Sequence, residues 1–189
     1  MRATRTGSLL LGASVALALI AADTKCSRAA VVESAANGFA IEQIAHIAAP
    51  PDRVYAALLD PAKWWSPRHT FSGSSANLTL DAKAGGCFCE KLPNGGSVQH
   101  LFVADLDPGK TLRLRGTLGP FQSQGVDGAL TFTLKANAGG TDLMLDNIVG
   151  GFIKGGFGKW PALADQMLAE QLTRLKRYLE TGSPEAATK

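Results

Sequence analysis

Cysteine, histidine and long apolar runs are all scarce in this chain, and each shortage narrows what it can do. Three cysteines and three histidines are spread over 189 residues, and only Cys87, Cys89 and His100 lie near one another. Those donor types suit zinc or copper, but Cys-x-Cys within a strand is an uncommon spacing and no fourth ligand is evident, so no metal is expected. Charge of one sign is also in short supply: Lys and Arg total 19 against 16 Asp and Glu. With a formal charge of +3 and no basic stripe, nucleic acid is not an expected partner. The glycine-rich stretch GGFIKGGFGK at 150–159 lacks the Gly-x-x-x-x-Gly-Lys-Ser/Thr spacing of a phosphate loop. No cofactor is called for; the stretch reads as a loop that can bend.

One apolar run is present, and its position gives it a meaning. Gly7 to Ala22 is uncharged, preceded by Arg2 and Arg5 and followed by polar residues from Asp23. It is shorter than the ~20 residues a membrane span needs. The layout is that of a secretory signal peptide with a cut after Ala22, giving a periplasmic or secreted protein without a membrane span once the leader is removed. The expected organisation is a leader at 1–22, a linker at 23–37, one domain at 38–182 and a tail at 183–189.

In an oxidising compartment an odd number of cysteines leaves at least one without an intramolecular partner. Residues two apart in a strand sit roughly 6.5–7 Å apart at Cα, at or beyond the usual disulfide range. Cys87 and Cys89 are therefore not expected to bridge each other, and Cys26, on the linker, could reach either. The pairing stays open.

Periodicity supplies the fold. FAIEQIAHIAA (39–49) alternates as a strand, and Pro51 opens a short helix, PDRVYAALLD, stopped at Asp60-Pro61. An aromatic-rich loop then leads to ANLTLDAK, GGCFCEKL, SVQHLFVADLD, TLRLRG, GALTFTLKA and TDLMLDNIV, all strand-like and separated by turn residues. From Pro161 to Thr181 the period becomes helical. Ala164, Met167, Leu168, Gln171, Leu172, Leu175, Tyr178 and Leu179 form one stripe, and Gly182 ends it. The expectation is an α+β domain: a curved antiparallel sheet covered by a long C-terminal helix, with space between them.

The segments HIAAPPDRVYAALLDPAKWWSP, the strand opening at Gly85-Gly86, VADLDPGKTLRLRG and EQLTRLKRYLETG together resemble the SRPBCC or START-like superfamily. The nearest resemblance is to the bacterial branch grouped with polyketide cyclase/dehydrase-like proteins and with homologues of a heat-shock ATPase activator. It covers roughly residues 40–182 and implies a helix-grip fold with an apolar cavity between sheet and helix. Carriers, cyclases and co-chaperone-like modules share that fold, and no single catalytic set is common to them. The leader speaks against co-chaperone work on a cytosolic ATPase.

With Asn94-Gly95 at the centre of a hairpin turn, Cys89 would pair with His100 and Cys87 with Phe102, putting them on one face, with Phe88, Glu90, Gln99 and Leu101 on the other. On that reading Cys87, Cys89, His100 and Phe102 line the cavity with Phe132 and Met167. Trp64, Trp65 and His69 form its mouth, and Phe157 and Trp160 edge a gate beside the glycine loop. The expected partner is a small hydrophobic or aromatic molecule oriented by His100. The alternatives are a cyclase or dehydratase in which His100 or His69 moves a proton, and a metal or thiol-redox site at Cys87, Cys89 and His100.

Overall fold

Alternation along the chain becomes a sheet with one wet and one dry face. The computed structural model describes residues 30–186; the leader, Cys26 and the last residues of the tail lie outside them. The strands are β1 (Ala30–Ala35), β2 (Gly38–Ile47), β3 (Leu78–Leu80), β4 (Cys87–Lys91), β5 (Ser97–Asp107), β6 (Thr111–Gly116), β7 (Gly125–Asn137) and β8 (Gly140–Phe152). Two helices, α1 (Pro51–Leu58) and α2 (Trp160–Thr181), complete the regular structure. The strands form one antiparallel sheet in the order β1-β2-β8-β7-β6-β5-β4-β3. Because β8 pairs with both β2 and β7, the last strand lies inside the sheet and delivers α2 onto its concave face.

Every second residue of β2, β6, β7 and β8 is buried there: Ile41, Ile47, Leu112, Leu114, Leu130, Phe132, Leu143 and Leu145. α2 covers them with Leu168, Leu172, Leu175 and Leu179, the stripe its helical period marks out. Each such side chain contributes about 1.5–3 kcal/mol by leaving water. Gly182, at φ 83°, closes the helix in the left-handed conformation, its N–H bonding Tyr178 O at 2.8 Å. Arg174, which the stripe omits, is nevertheless buried: its Nε donates to Trp64 O at 2.9 Å and its terminal nitrogen meets Glu185 at 2.7 Å.

Three expectations change. Residues 30–35, read as part of a linker, form β1, because AVVESA pairs back on β2 across Ala36-Asn37. The glycine stretch begins in strand, since β8 runs to Phe152 before the chain loosens. The largest change concerns β4 and β5. Asn94 (φ 60°) and Gly95 (φ 80°) do make the turn, but Lys91 faces Ser97, Glu90 faces Val98 and Cys89 faces Gln99, one residue off the expected ladder. The register then shifts, so that Phe88 faces Leu101 and Cys87 faces Phe102, and His100 is the residue left over. A bulge turns such an extra residue out of the ladder. His100 is thereby buried beside Leu101, while Phe102 is turned to the outer face and is 40% exposed.

Candidate functional site

Between α2, the inner sheet face and the loop 117–124 lies a cavity of about 890 Å³. Its apolar wall includes Leu101, Leu118, Phe121, Leu130, Val149 and Leu168, with Trp65 and Phe88 toward one end. Gly116 (φ 115°) lets β6 end against β5: a Cβ there would sit 3.2 Å from His100 O. The loop that follows folds over the opening, and Phe121 packs on Trp160 with ring centroids 5.3 Å apart.

The polar groups fall in two places. At the inner end, Glu90 is fully buried and accepts three hydrogen bonds, from Phe71 N at 3.0 Å, Ser72 N at 2.5 Å and His100 Nε2 at 2.9 Å. Burial opposes its charge, but the bonds from Ser72, Phe71 and His100 prevail and hold the carboxyl below its ordinary value. Burial, partly offset by Glu90, also pushes the His100 imidazole below its ordinary value, toward the neutral form. Gln122 Nε2, which donates to Gln99 O at 3.2 Å, lies 3.4 Å from His100 Nδ1. An amide nitrogen can only donate, so His100 carries its proton on Nε2 and presents Nδ1 as an acceptor beside the cavity. Phe71 and Phe88 flank the ring at 5.8 and 5.3 Å. Asn147, on β8, adds a buried amide to the wall whose side chain has no hydrogen-bond partner among the described residues.

At the mouth, Glu170 of α2 bridges the loop before β3: Arg68 donates to Oε1 at 2.8 Å, and His69 Nε2 lies 3.1 Å from Oε2. Burial works against the Glu170 charge, but Arg68 leads the groups that overcome it, lowering the carboxyl to about 2. Phe71 and Leu163, both largely exposed, extend this rim.

Of the residues named from sequence, Trp65, His69, His100, Trp160 and Met167 line the cavity. Trp64 does not; its Nε1 bonds Ala57 O at 2.7 Å and it fills the joint under α1. Phe132 and Phe157 are core residues, the latter packed edge-on against Phe39 at 5.6 Å. Cys87, Cys89 and Phe102 share one face, with Cys87 opposite Phe102 as expected, but that face is the outer one, and the bulge puts His100 on the inner face with Phe88, Glu90 and Leu101. Cys87 and Cys89 are moreover bonded to each other, with Cα atoms 5.3 Å apart. The strand is shortened where its register shifts, which brings the pair within disulfide reach. Cys87, Cys89 and His100 therefore make no common metal site. Glu90, Gln122, Asn147, Arg68 and Glu170 were missed; the signal for Glu90 was a carboxylate at the same strand parity as the apolar Phe88.

Fold and cavity together define an SRPBCC-type helix-grip protein. The family model for "Activator of Hsp90 ATPase homolog 1-like protein" matches residues 48–180, and the chain belongs to that family. No curated protein matches the chain by sequence. Among solved structures, CalU16 from Micromonospora echinospora is similar at 17% identity and TM-score 0.57, over 85% of this chain and 88% of that one. A protein from Rhizobium leguminosarum matches at 18% and 0.57, over 77% and 97%. SSP2350 from Staphylococcus saprophyticus matches at 15% and 0.54, over 79% and 97%. At these identities the likeness is one of fold.

Proposed function

We propose that this chain is an exported carrier that holds a small, largely aromatic molecule between sheet and α2, with a hydroxyl or similar donor directed at His100. The observation that carries the reading is the cavity of about 890 Å³, with apolar walls and a few fixed polar groups. Ligand sites typically measure about 300–1,000 Å³ and have that composition. A ligand donor takes the single lone pair of His100 Nδ1 in place of the long 3.4 Å contact from Gln122, and because burial keeps the ring neutral the site favours a neutral ligand over a carboxylate. Asn147 offers a second polar contact from the far wall. Phe71, Phe88, Trp65 and Trp160 supply flat apolar surface. Export rests on the leader.

Native mass spectrometry of protein purified from its exported location tests the reading. A bound organic mass that is lost on denaturation supports it. Protein that is bare, and that also fails to take up the neutral fluorophore N-phenyl-1-naphthylamine, overturns it. A second reading, an enzyme of cyclase or dehydratase type, is favoured by one feature: Glu90 and His100 have the form of a base and the group that orients it. The captured molecule separates the two. A carrier returns it unchanged, and His100→Ala weakens its binding; an enzyme converts it, and His100→Ala stops the conversion.

A further inference from the structure

The Cys87–Cys89 disulfide closes a ring across a single residue. It restricts little of the unfolded chain and adds less stability than a bridge over a long loop would. Its position suggests another use. Phe88, the residue between, points into the cavity, its ring 5.3 Å from His100 and 5.5 Å from Trp65. The Cα spacing of 5.3 Å contracts a stretch that an extended strand would span in about 6.5–7 Å. The contraction coincides with the register change that leaves His100 over and turns it inward. Both cysteines are half-buried on the outer face rather than sealed in the core, and β4 is shielded from the sheet edge only by the three residues of β3.

We infer that Cys87–Cys89 is a thiol–disulfide exchange site whose redox state sets the register of β4 against β5, and with it the side of the sheet on which His100 lies. The reductant is a low-molecular-weight thiol or dithiol. Its thiolate attacks one sulfur, the Cys87–Cys89 bond breaks, a mixed disulfide forms, and the displaced cysteine leaves as a thiolate that takes up a proton. A second thiolate from the reductant resolves the mixed disulfide. Two electrons and two protons have then entered the protein, and the reductant has become a disulfide. With the contraction released, the register already present at Phe88 and Leu101 extends toward the turn. Cys89 then stands opposite His100, and the imidazole passes to the outer face. Glu90 keeps its bonds from Phe71 and Ser72 but loses its third donor.

The test uses the full chain carrying Cys26→Ser, so that only these two sulfurs report. Alkylation of the folded protein, read by mass, is expected to label no cysteine before treatment with dithiothreitol and two after it. In 15N NMR the His100 Nε2–H signal, identified by its loss in His100→Gln, is expected in the oxidised form and absent in the reduced form. The Cys87→Ser/Cys89→Ser variant should show the reduced spectrum without reductant. N-phenyl-1-naphthylamine should bind the reduced form about tenfold more weakly, the size of one lost buried polar contact. Unlabelled cysteines after reduction, an unchanged His100 signal, or loss of the α2 amide signals on reduction would each overturn the inference. The fluorophore measurement rests on the cavity reading. Failure to bind either form counts against that reading, while the alkylation and NMR results still decide the exchange.

Discussion

Two histidine–glutamate pairs flank the same cavity at almost the same separation, 2.9 Å for His100–Glu90 and 3.1 Å for His69–Glu170. Their surroundings differ. At the inner end both side chains are shut away from water, and the glutamate is held by two backbone N–H groups. At the mouth the histidine side chain is 34% exposed and the glutamate shares itself with Arg68. Distance alone does not tell what a pair does. The buried pair fixes a tautomer and ties three segments together: the loop at 71–72, β4 and β5. The outer pair links α2 to the rim and leaves charge where a ligand would enter.

Removing the carboxylates should break the comparison most sharply. Glu90→Leu strands two backbone donors and the His100 proton in the interior, and the expected cost is about 3–5 kcal/mol. Glu170→Leu at the mouth should cost about 1 kcal/mol or less, because water replaces what is lost. Urea unfolding of both variants checks the contrast, and equal costs would mean the inner pair is not energetically closed. Next in size, Leu172→Ala beneath the cavity should cost about 2–5 kcal/mol by the same measurement, as a core truncation that touches neither pair.

Acid sharpens the difference further. His100 has its folded value below its unfolded one, so the unfolded chain takes up that proton first. Its contribution is complete above the ordinary histidine value and is lost as pH falls through the lowered one. Glu90 and Glu170 behave likewise from the ordinary glutamate value downward, Glu170 until about 2. Stability should therefore begin to fall just below neutrality, and His100→Gln should flatten the slope between about pH 6.5 and 5 while leaving the steeper loss at lower pH. The smallest expected effect is that of Arg68→Ala, which should leave folding within about 0.5 kcal/mol of the parent in the same urea unfolding.

The order of elements was legible in the sequence because each follows a local rule: alternation in β2, β7 and β8, a three-and-four spacing in α2, a glycine at its end. β1 was not, because AVVESA is short and becomes a strand only by pairing with β2. The site was legible in part. Trp65, His69, His100, Trp160 and Met167 were named, and all border the cavity. The faces of β4 and β5 were not legible, since turn composition fixes where a hairpin reverses but leaves open whether a bulge follows. That uncertainty put His100 on the face of Cys87, Cys89 and Phe102, and taking that face as the inner one brought all four to the cavity and hid Glu90. Gln122 and Asn147 lie in distant segments, and nothing local in the sequence links them to His100.

The bulge at His100 acts as a single change of sign: the inner residues are even-numbered up to it (Phe88, Glu90, His100) and odd-numbered after it (Leu101, Val103). Without it the strand beyond would exchange its inner and outer residues, and Leu101 and Val103 would leave the core. Chain length between Cys89 and Leu101 is therefore constrained by parity more than by size. Adding or deleting one residue there is harmful unless a second such change accompanies it, whereas paired changes leave the barrier between water and cavity intact.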